Sequence, residues 1–128
     1  MNNQFSGRIE NPQVIERLIA DKNSNKLFIF GANWCPDCRI FSGTMNIPKI
    51  EKHINEEFNV LYIDVLRYEI NMNLMEEFGI ASAEGIPRVL VFDKNRNVIN
   101  NSNTTEWRTA RDRSSQEIFD FFQNMVTN

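Results

Sequence analysis

Residues 26–39 read KLFIFGANWCPDCR, and both the fold and the chemistry depend on how this stretch is understood. The apolar run Leu27, Phe28, Ile29 and Phe30 is aromatic and branched, the makeup of a buried strand. It meets two small residues, Gly31 and Ala32, and this corner delivers Trp34, Cys35, Pro36, Asp37 and Cys38. Both cysteines of the chain lie there. Proline suits the first position of a helix, where a missing N–H costs nothing. The stretch therefore predicts strand, corner and helix, with Cys35 at the helix start and Cys38 one turn in. A thiol attacks only as its thiolate, and a helix N-terminus stabilises negative charge through free N–H groups and the helix dipole. Cys35 is accordingly expected to be exposed and activated and Cys38 more buried. Cys35 would attack a disulfide, and Cys38 would resolve the mixed disulfide by attacking Cys35. Asp37 opposes a neighbouring thiolate while its own charge is favoured by the dipole, so the expected thiol acidity is milder than that of the strongest oxidants.

Outward from this centre the chain alternates helices with strands. Residues 1–10 read as a loosely ordered arm or a short edge strand, with Phe5 and Ile9 as anchors. Asn11 and Pro12 start a helix carrying Val14, Ile15, Leu18 and Ile19 at helical spacing. After the corner, Ser42, Gly43 and Pro48 divide the helical pattern in two, and the second piece, about residues 47–58, places Ile50, Ile54 and Phe58 on one side. The run from Val60 to Val65 is nearly continuous in apolarity, which predicts a strand inside the sheet. A short helix with Leu74, Met75 and Phe78 follows, closed by Gly79. The strand Arg88–Phe92, a polar turn at Asp93–Asn97 and a fourth strand starting at Val98 and Ile99 form a hairpin. A last helix over about Ser115–Met125 turns Ile118, Phe119, Phe122 and Met125 inward. The pattern defines an α/β fold in one domain over residues 1–128, with a mixed central β-sheet of four to five strands flanked by helices on both faces.

Bulk properties narrow the function. The 128 residues are 41% hydrophobic and 24% charged, as in soluble globular domains. Lys and Arg number 14 against 17 Asp and Glu, a net charge of −3 with no basic cluster, which argues against a nucleic-acid partner. No stretch approaches the roughly 20 apolar residues that cross a bilayer. The polar N-terminus has neither a basic head nor an apolar run. A cytoplasmic monomer is expected, with an exported form whose signal has been removed as the alternative. Two cysteines two residues apart make a redox pair or half of a metal site. Zinc wants four ligands and only His53 could join without carboxylates, so no metal is expected and His53 is placed at the surface.

The corner Trp34-Cys35-Pro36-Asp37-Cys38, followed about fifty residues later by Gly85-Ile86-Pro87 leading into a strand, resembles the thioredoxin superfamily. The resemblance runs from about Pro12 to the end of the chain and implies a thioredoxin-like fold. It implies that Cys35 attacks, Cys38 resolves, and Pro87 is a cis-proline facing the pair. Ile86 would pair through its backbone with an extended substrate segment, and Trp34 would shield the site as a flat apolar contact. Three positions depart from the pattern. Ile29 stands where thioredoxins carry a buried Asp that assists proton transfer, Gly43 replaces a helix-kinking proline, and the motif is not Trp-Cys-Gly-Pro-Cys. Asp37, Glu84 or water are the candidate replacements for the missing acid, and Pro36, Asp37 and Glu84 the candidate tuning residues. Glutaredoxins fit less well, because their glycine pair is absent from residues 100–106.

The expected activity is a thiol-disulfide oxidoreductase cycling Cys35 and Cys38, working as a reductase on a disulfide-containing protein or small molecule. It would be recharged by a thioredoxin-reductase-type or other thiol electron donor and needs no bound cofactor. The alternative is a redox-inactive binding module of the same fold that grips an extended partner peptide at Trp34, Ile86 and Pro87. Trp107 with Arg108 marks either an interface or cover for a sheet end, and Asp64 with Arg67 either a salt bridge or a loop anchor.

Overall fold

The computed structural model describes residues 13, 17, 20, 23–77, 85–95, 97–100 and 103–127, with 75, 77, 126 and 127 described by backbone alone. Strand β1 (Asn25–Gly31) leads to helices α1 (Pro36–Met45) and α2 (Pro48–Glu57), then to β2 (Phe58–Asp64) and the short helix α3 (Met72–Glu77). Strand β3 (Arg88–Phe92), a 3-10 helix (Glu106–Asp112) and α4 (Ser115–Thr127) complete the order. The sheet runs β2-β1-β3, with β1 parallel to β2 and antiparallel to β3. Phe28 lies opposite Leu61 on one side and Leu90 on the other, and Ile29 opposite Tyr62 and Val89. Lys26 to Gly31 are all buried, and the unbroken apolarity of Leu27 to Phe30 is what a strand between two others and covered on both faces demands.

The expected strand count is corrected by the sheet. Among the described strands β2 has β1 as its one neighbour, and its burial alternates, with Asn59 exposed and Val60 and Tyr62 half-buried. Helix α2 packs against it. The described strands number three, not four to five, because the expected fourth is reduced to a single bridge between Val98 and Phe92. The turn itself forms, with Asp93 Oδ1 accepting the N–H groups of Asn95 and Asn97 at 2.8 and 2.9 Å. Beyond Ile99 the side chain of Asn100 replaces a strand. Its Oδ1 accepts the Val91 N–H at 2.9 Å and its Nδ2 donates to the Val89 carbonyl at 2.8 Å. The Val89 N–H donates to the Thr104 carbonyl at 3.0 Å. A buried sheet edge must satisfy its backbone groups, and here the Asn100 side chain does so together with the backbone of Ile99 and Thr104.

Ser42 and Gly43 do not break α1, which continues to Met45 with both residues buried on its packing face. The division falls at Asn46 and Ile47, and Pro48 opens α2 at its first position. Helix α4 begins with a reciprocal cap at Ser114 and Glu117. The Ser114 Oγ accepts the Glu117 N–H at 3.1 Å, and Glu117 Oε1 accepts the Ser114 N–H at 3.1 Å. Ile118 and Phe122 of α4 are fully buried, with Phe122 meeting Phe41 and Phe58 at ring distances of 6.1 Å. Trp107 is 1% exposed and packs against Phe41 and Phe121, so it belongs to the core and marks no interface. His53 is half-buried rather than on the surface, because its ring lies against Phe119 at 4.9 Å.

Gln13, Arg17 and Ala20, the described positions of the first expected helix, are helical and exposed, a spacing that marks one face of a helix. The arm at residues 1–10, the inward positions of that helix, Phe78, Gly79 and Glu84 lie outside the described residues.

Candidate active site

The corner forms where β1 runs out. Ala32 is buried and its carbonyl accepts the Cys35 N–H at 3.3 Å. Cys35, with extended backbone angles, is the N-cap of α1, and its sulfur does what a Ser or Asp oxygen does in other helices: it accepts the Cys38 N–H, at 3.2 Å. Pro36 takes the first helical position and is exposed. Cys38 lies one turn in, fully buried. Both are free thiols.

The expected exposure of Cys35 needs correction. The residue is only 5% exposed, because the segment leading into β3 closes over it. The Ile86–Pro87 peptide bond is cis, and the Cys35 thiol donates to the Ile86 carbonyl across a distance of 3.8 Å. The structure thus brings Cys35, Cys38, Ile86 and Pro87 together from the two ends of adjacent strands. Trp34 is 38% exposed and is held by the loop after β2: its Nε1–H donates to the Leu66 carbonyl at 2.6 Å, and its ring meets Tyr68 edge-on at 5.6 Å.

Electrostatics separate the two thiols. The hydrogen bond from the Cys38 thiol, with the backbone N–H groups of Cys38 and Asp37, lowers the Cys35 pKa from 9.0 to about 7 against the opposing effects of burial and the Asp37 charge. Cys38 is pushed strongly upward, first by burial and then by its hydrogen bond to Cys35. One thiol is prepared to ionise near neutrality while the other holds its proton. Asp37 is turned toward the 3-10 helix, where its Oδ1 accepts the Arg111 N–H at 2.9 Å and lies 3.7 Å from Arg111 Nε. Ile29, in the place of the thioredoxin acid, is fully buried and can take no proton. Glu84, the other tuning candidate, is outside the described residues. Among the described residues no three His, Cys, Asp or Glu side chains cluster to hold a metal, and no helix is long and apolar enough to cross a membrane.

Sequence inspection missed the loop between β2 and α3 as part of this site. Asp64 proves to be a loop anchor: its Oδ1 accepts the Leu66 N–H at 2.7 Å, and its carbonyl accepts from Asn71 Nδ2 at 2.9 Å. Leu66, Tyr68 and Asn71 all adopt positive φ, at 52°, 65° and 61°. Such angles are uncommon for a Leu or Tyr and cost on the order of 1 kcal/mol each. The loop presents Leu66, Arg67 and Tyr68 beside Trp34, and the guanidinium of Arg67 lies 5.4 Å over the Trp34 ring. No local pattern announces positive φ at Leu or Tyr, so only the Trp34 contacts made in the fold reveal the connection.

With this geometry in view, comparison with known proteins is informative. A family model described as thioredoxin matches residues 2–103. The chain belongs to the thioredoxin superfamily, and the pair at Cys35 and Cys38 fits its redox motif. Among solved structures it is similar to the disulphide isomerase of Xylella fastidiosa Temecula1, at 34% identity over 89% of this chain and 88% of that one, with a TM-score of 0.79. The C-terminal domain of Neisseria meningitidis DsbD shares the fold in its oxidised form at 16% identity, over 92% of this chain and 98% of that one, with a TM-score of 0.62. The same domain in its reduced form aligns at 19% identity, over 80% and 98%, with a TM-score of 0.52. No curated protein matches the sequence.

Proposed function

We propose that the chain is a protein thiol-disulfide oxidoreductase whose working groups are Cys35 and Cys38. The observation that carries this reading is the Cys35 sulfur, capping α1 at 3.2 Å from the Cys38 N–H and lying 3.8 Å from the Ile86 carbonyl. The Cys35 thiolate attacks one sulfur of a substrate disulfide, which breaks that bond, forms a mixed disulfide and expels the first substrate thiolate. Cys38 then attacks Cys35 Sγ, the Cys35–Cys38 bond forms, and the second substrate thiolate leaves. The two protons of the dithiol end on the two substrate sulfurs, and the two electrons have passed from enzyme to substrate. The backbone beside Pro87 would hold the substrate segment extended, with Trp34 at its flank. Asp37 and Pro36 set the charge and the helix start next to Cys35.

Net reduction is the favoured direction. A first thiol with a pKa of about 7 resembles thioredoxin's, also about 7, rather than the value of about 3.5 that makes a strong oxidant. The likeness to a disulphide isomerase fits the same two steps, since a mixed disulfide left unresolved lets the substrate rearrange. A reducing compartment such as the cytoplasm suits this direction, with a thioredoxin-reductase-type or other dithiol donor restoring the pair.

The deciding experiment equilibrates the pair in a defined thiol buffer. A potential near thioredoxin's, about −270 mV, supports a reductase, whereas a value toward about −120 mV assigns oxidation and an oxidising compartment. If no Cys35–Cys38 disulfide forms, or if the Cys35→Ser, Cys38→Ser double variant reduces insulin as well as the parent does, the exchange mechanism is wrong.

A further inference from the structure

Two arginines stand at the opening of the Cys35 site without a part in the exchange itself. Arg108, exposed on the 3-10 helix, lies along Gly85, which has a φ of +90°: a side chain there would meet Arg108 Nε, Cδ and Cζ at 3.6, 3.7 and 3.9 Å. Gly85 directly precedes Ile86, whose carbonyl faces the Cys35 thiol. On the other side Arg67 lies 5.4 Å over the Trp34 ring, and the charge of Arg108 reaches the Tyr68 phenol that meets the same ring edge-on. Arg108 therefore borders the residue before Ile86, and Arg67 the residue before Cys35. The described carboxylates nearby are turned to backbone N–H groups, Asp37 to Arg111, Asp64 to Leu66 and Glu69 to Arg67. Among the described residues no carboxylate lies within ion-pair distance of Arg67 or Arg108. Two guanidinium groups without a described carboxylate partner thus stand beside the site, with Leu66 and Tyr68, the neighbours of Arg67 in the chain, 41% and 45% exposed.

Resting on the function proposed above, we propose that Arg67 and Arg108 are specificity-determining residues that select disulfide substrates whose attacked cysteine lies in an acidic segment of a polypeptide. Charge complementarity favours this occupant: carboxylates on either flank of the cysteine meet a guanidinium, while an apolar side chain of the same segment rests on Leu66 and Tyr68.

The test uses the whole chain and disulfide-linked peptides identical except for Glu, Gln or Lys beside the cysteine, each rate divided by that of a small dithiol on the same peptide. The parent is expected to prefer the Glu peptide over the Gln peptide by about 3- to 10-fold in kcat/KM, chiefly through KM and less so at high salt. That ratio collapses to below about 2-fold in the Arg67→Gln, Arg108→Gln variant and survives in the Arg67→Lys, Arg108→Lys variant, which keeps the charge. Equal rates for Glu and Gln peptides in the parent, or a preference that survives the Gln double variant, overturn the proposal while leaving the exchange mechanism intact. If no peptide is turned over, the exchange mechanism fails, and titration with peptides carrying Ser for Cys decides the specificity. Arg-dependent preference for the Glu peptide then supports it, and equal binding overturns it.

Discussion

At the scale of single residues, the asymmetry between Cys35 and Cys38 is the property from which behaviour follows. The Cys38 thiol is the first cause of the lowered Cys35 pKa. Replacing Cys38 with Ala removes that donor and should move the Cys35 titration, followed by the ultraviolet absorbance of the thiolate, upward from about 7 toward 9. The same variant should accumulate a mixed disulfide with substrate, visible as an added mass, because nothing resolves it. Asp37 works in the other direction. Asp37→Asn keeps an acceptor for the Arg111 N–H but removes the charge that opposes the thiolate, so the Cys35 titration should fall while the urea midpoint stays within error. Asp37→Ala also loses the acceptor and should cost about 1 kcal/mol in urea unfolding.

At the scale of elements, the edge of β3 and the loop after β2 show how irregular segments hold regular ones in place. Asn100 supplies one acceptor and one donor to a buried sheet edge. Asn100→Ala leaves the Val91 N–H and the Val89 carbonyl without those partners, and the expected loss is about 2–3 kcal/mol in urea or thermal unfolding. A loss below about 0.5 kcal/mol would mean that water or the following segment closes the edge instead. Because β3 follows directly on Pro87, loosening that edge should also slow disulfide exchange at Cys35, measured as a lower kcat/KM in Asn100→Ala.

At the scale of the whole molecule, the thiol pair couples folding to pH. Unfolded Cys35 titrates at its ordinary 9.0, whereas in the folded reduced protein it titrates at about 7. Between these values the unfolded chain binds the extra proton, so stability rises with pH across the window. The contribution is present above pH 9 and lost as pH falls through 7, an effect on the order of 2 kcal/mol. The raised pKa of Cys38 acts only above pH 9, where it removes stability. The disulfide form has neither titration. The difference in unfolding free energy between reduced and oxidised protein should therefore shift toward the reduced form from pH 7 to 9, as urea midpoints of the two forms would show.

The sequence by itself determined the β1–corner–α1 unit, the helix start at Cys35 and Pro36, and the likeness to thioredoxins from which a cis Pro87 is expected. Each rests on local chemistry: periodicity, capping and proline geometry act over a few residues, and a motif is read the same way wherever it falls. Only the tertiary structure decided the rest. It covered Cys35 with the Ile86 segment, turned Asp37 toward Arg111, took Trp107 into the core, and let one Asn100 side chain stand in for a strand. It also set Arg67 over the Trp34 ring and Arg108 along Gly85, from a loop and a 3-10 helix far apart along the chain. These outcomes depend on which groups meet across long sequence separations, and neither residue spacing nor propensity carries that information.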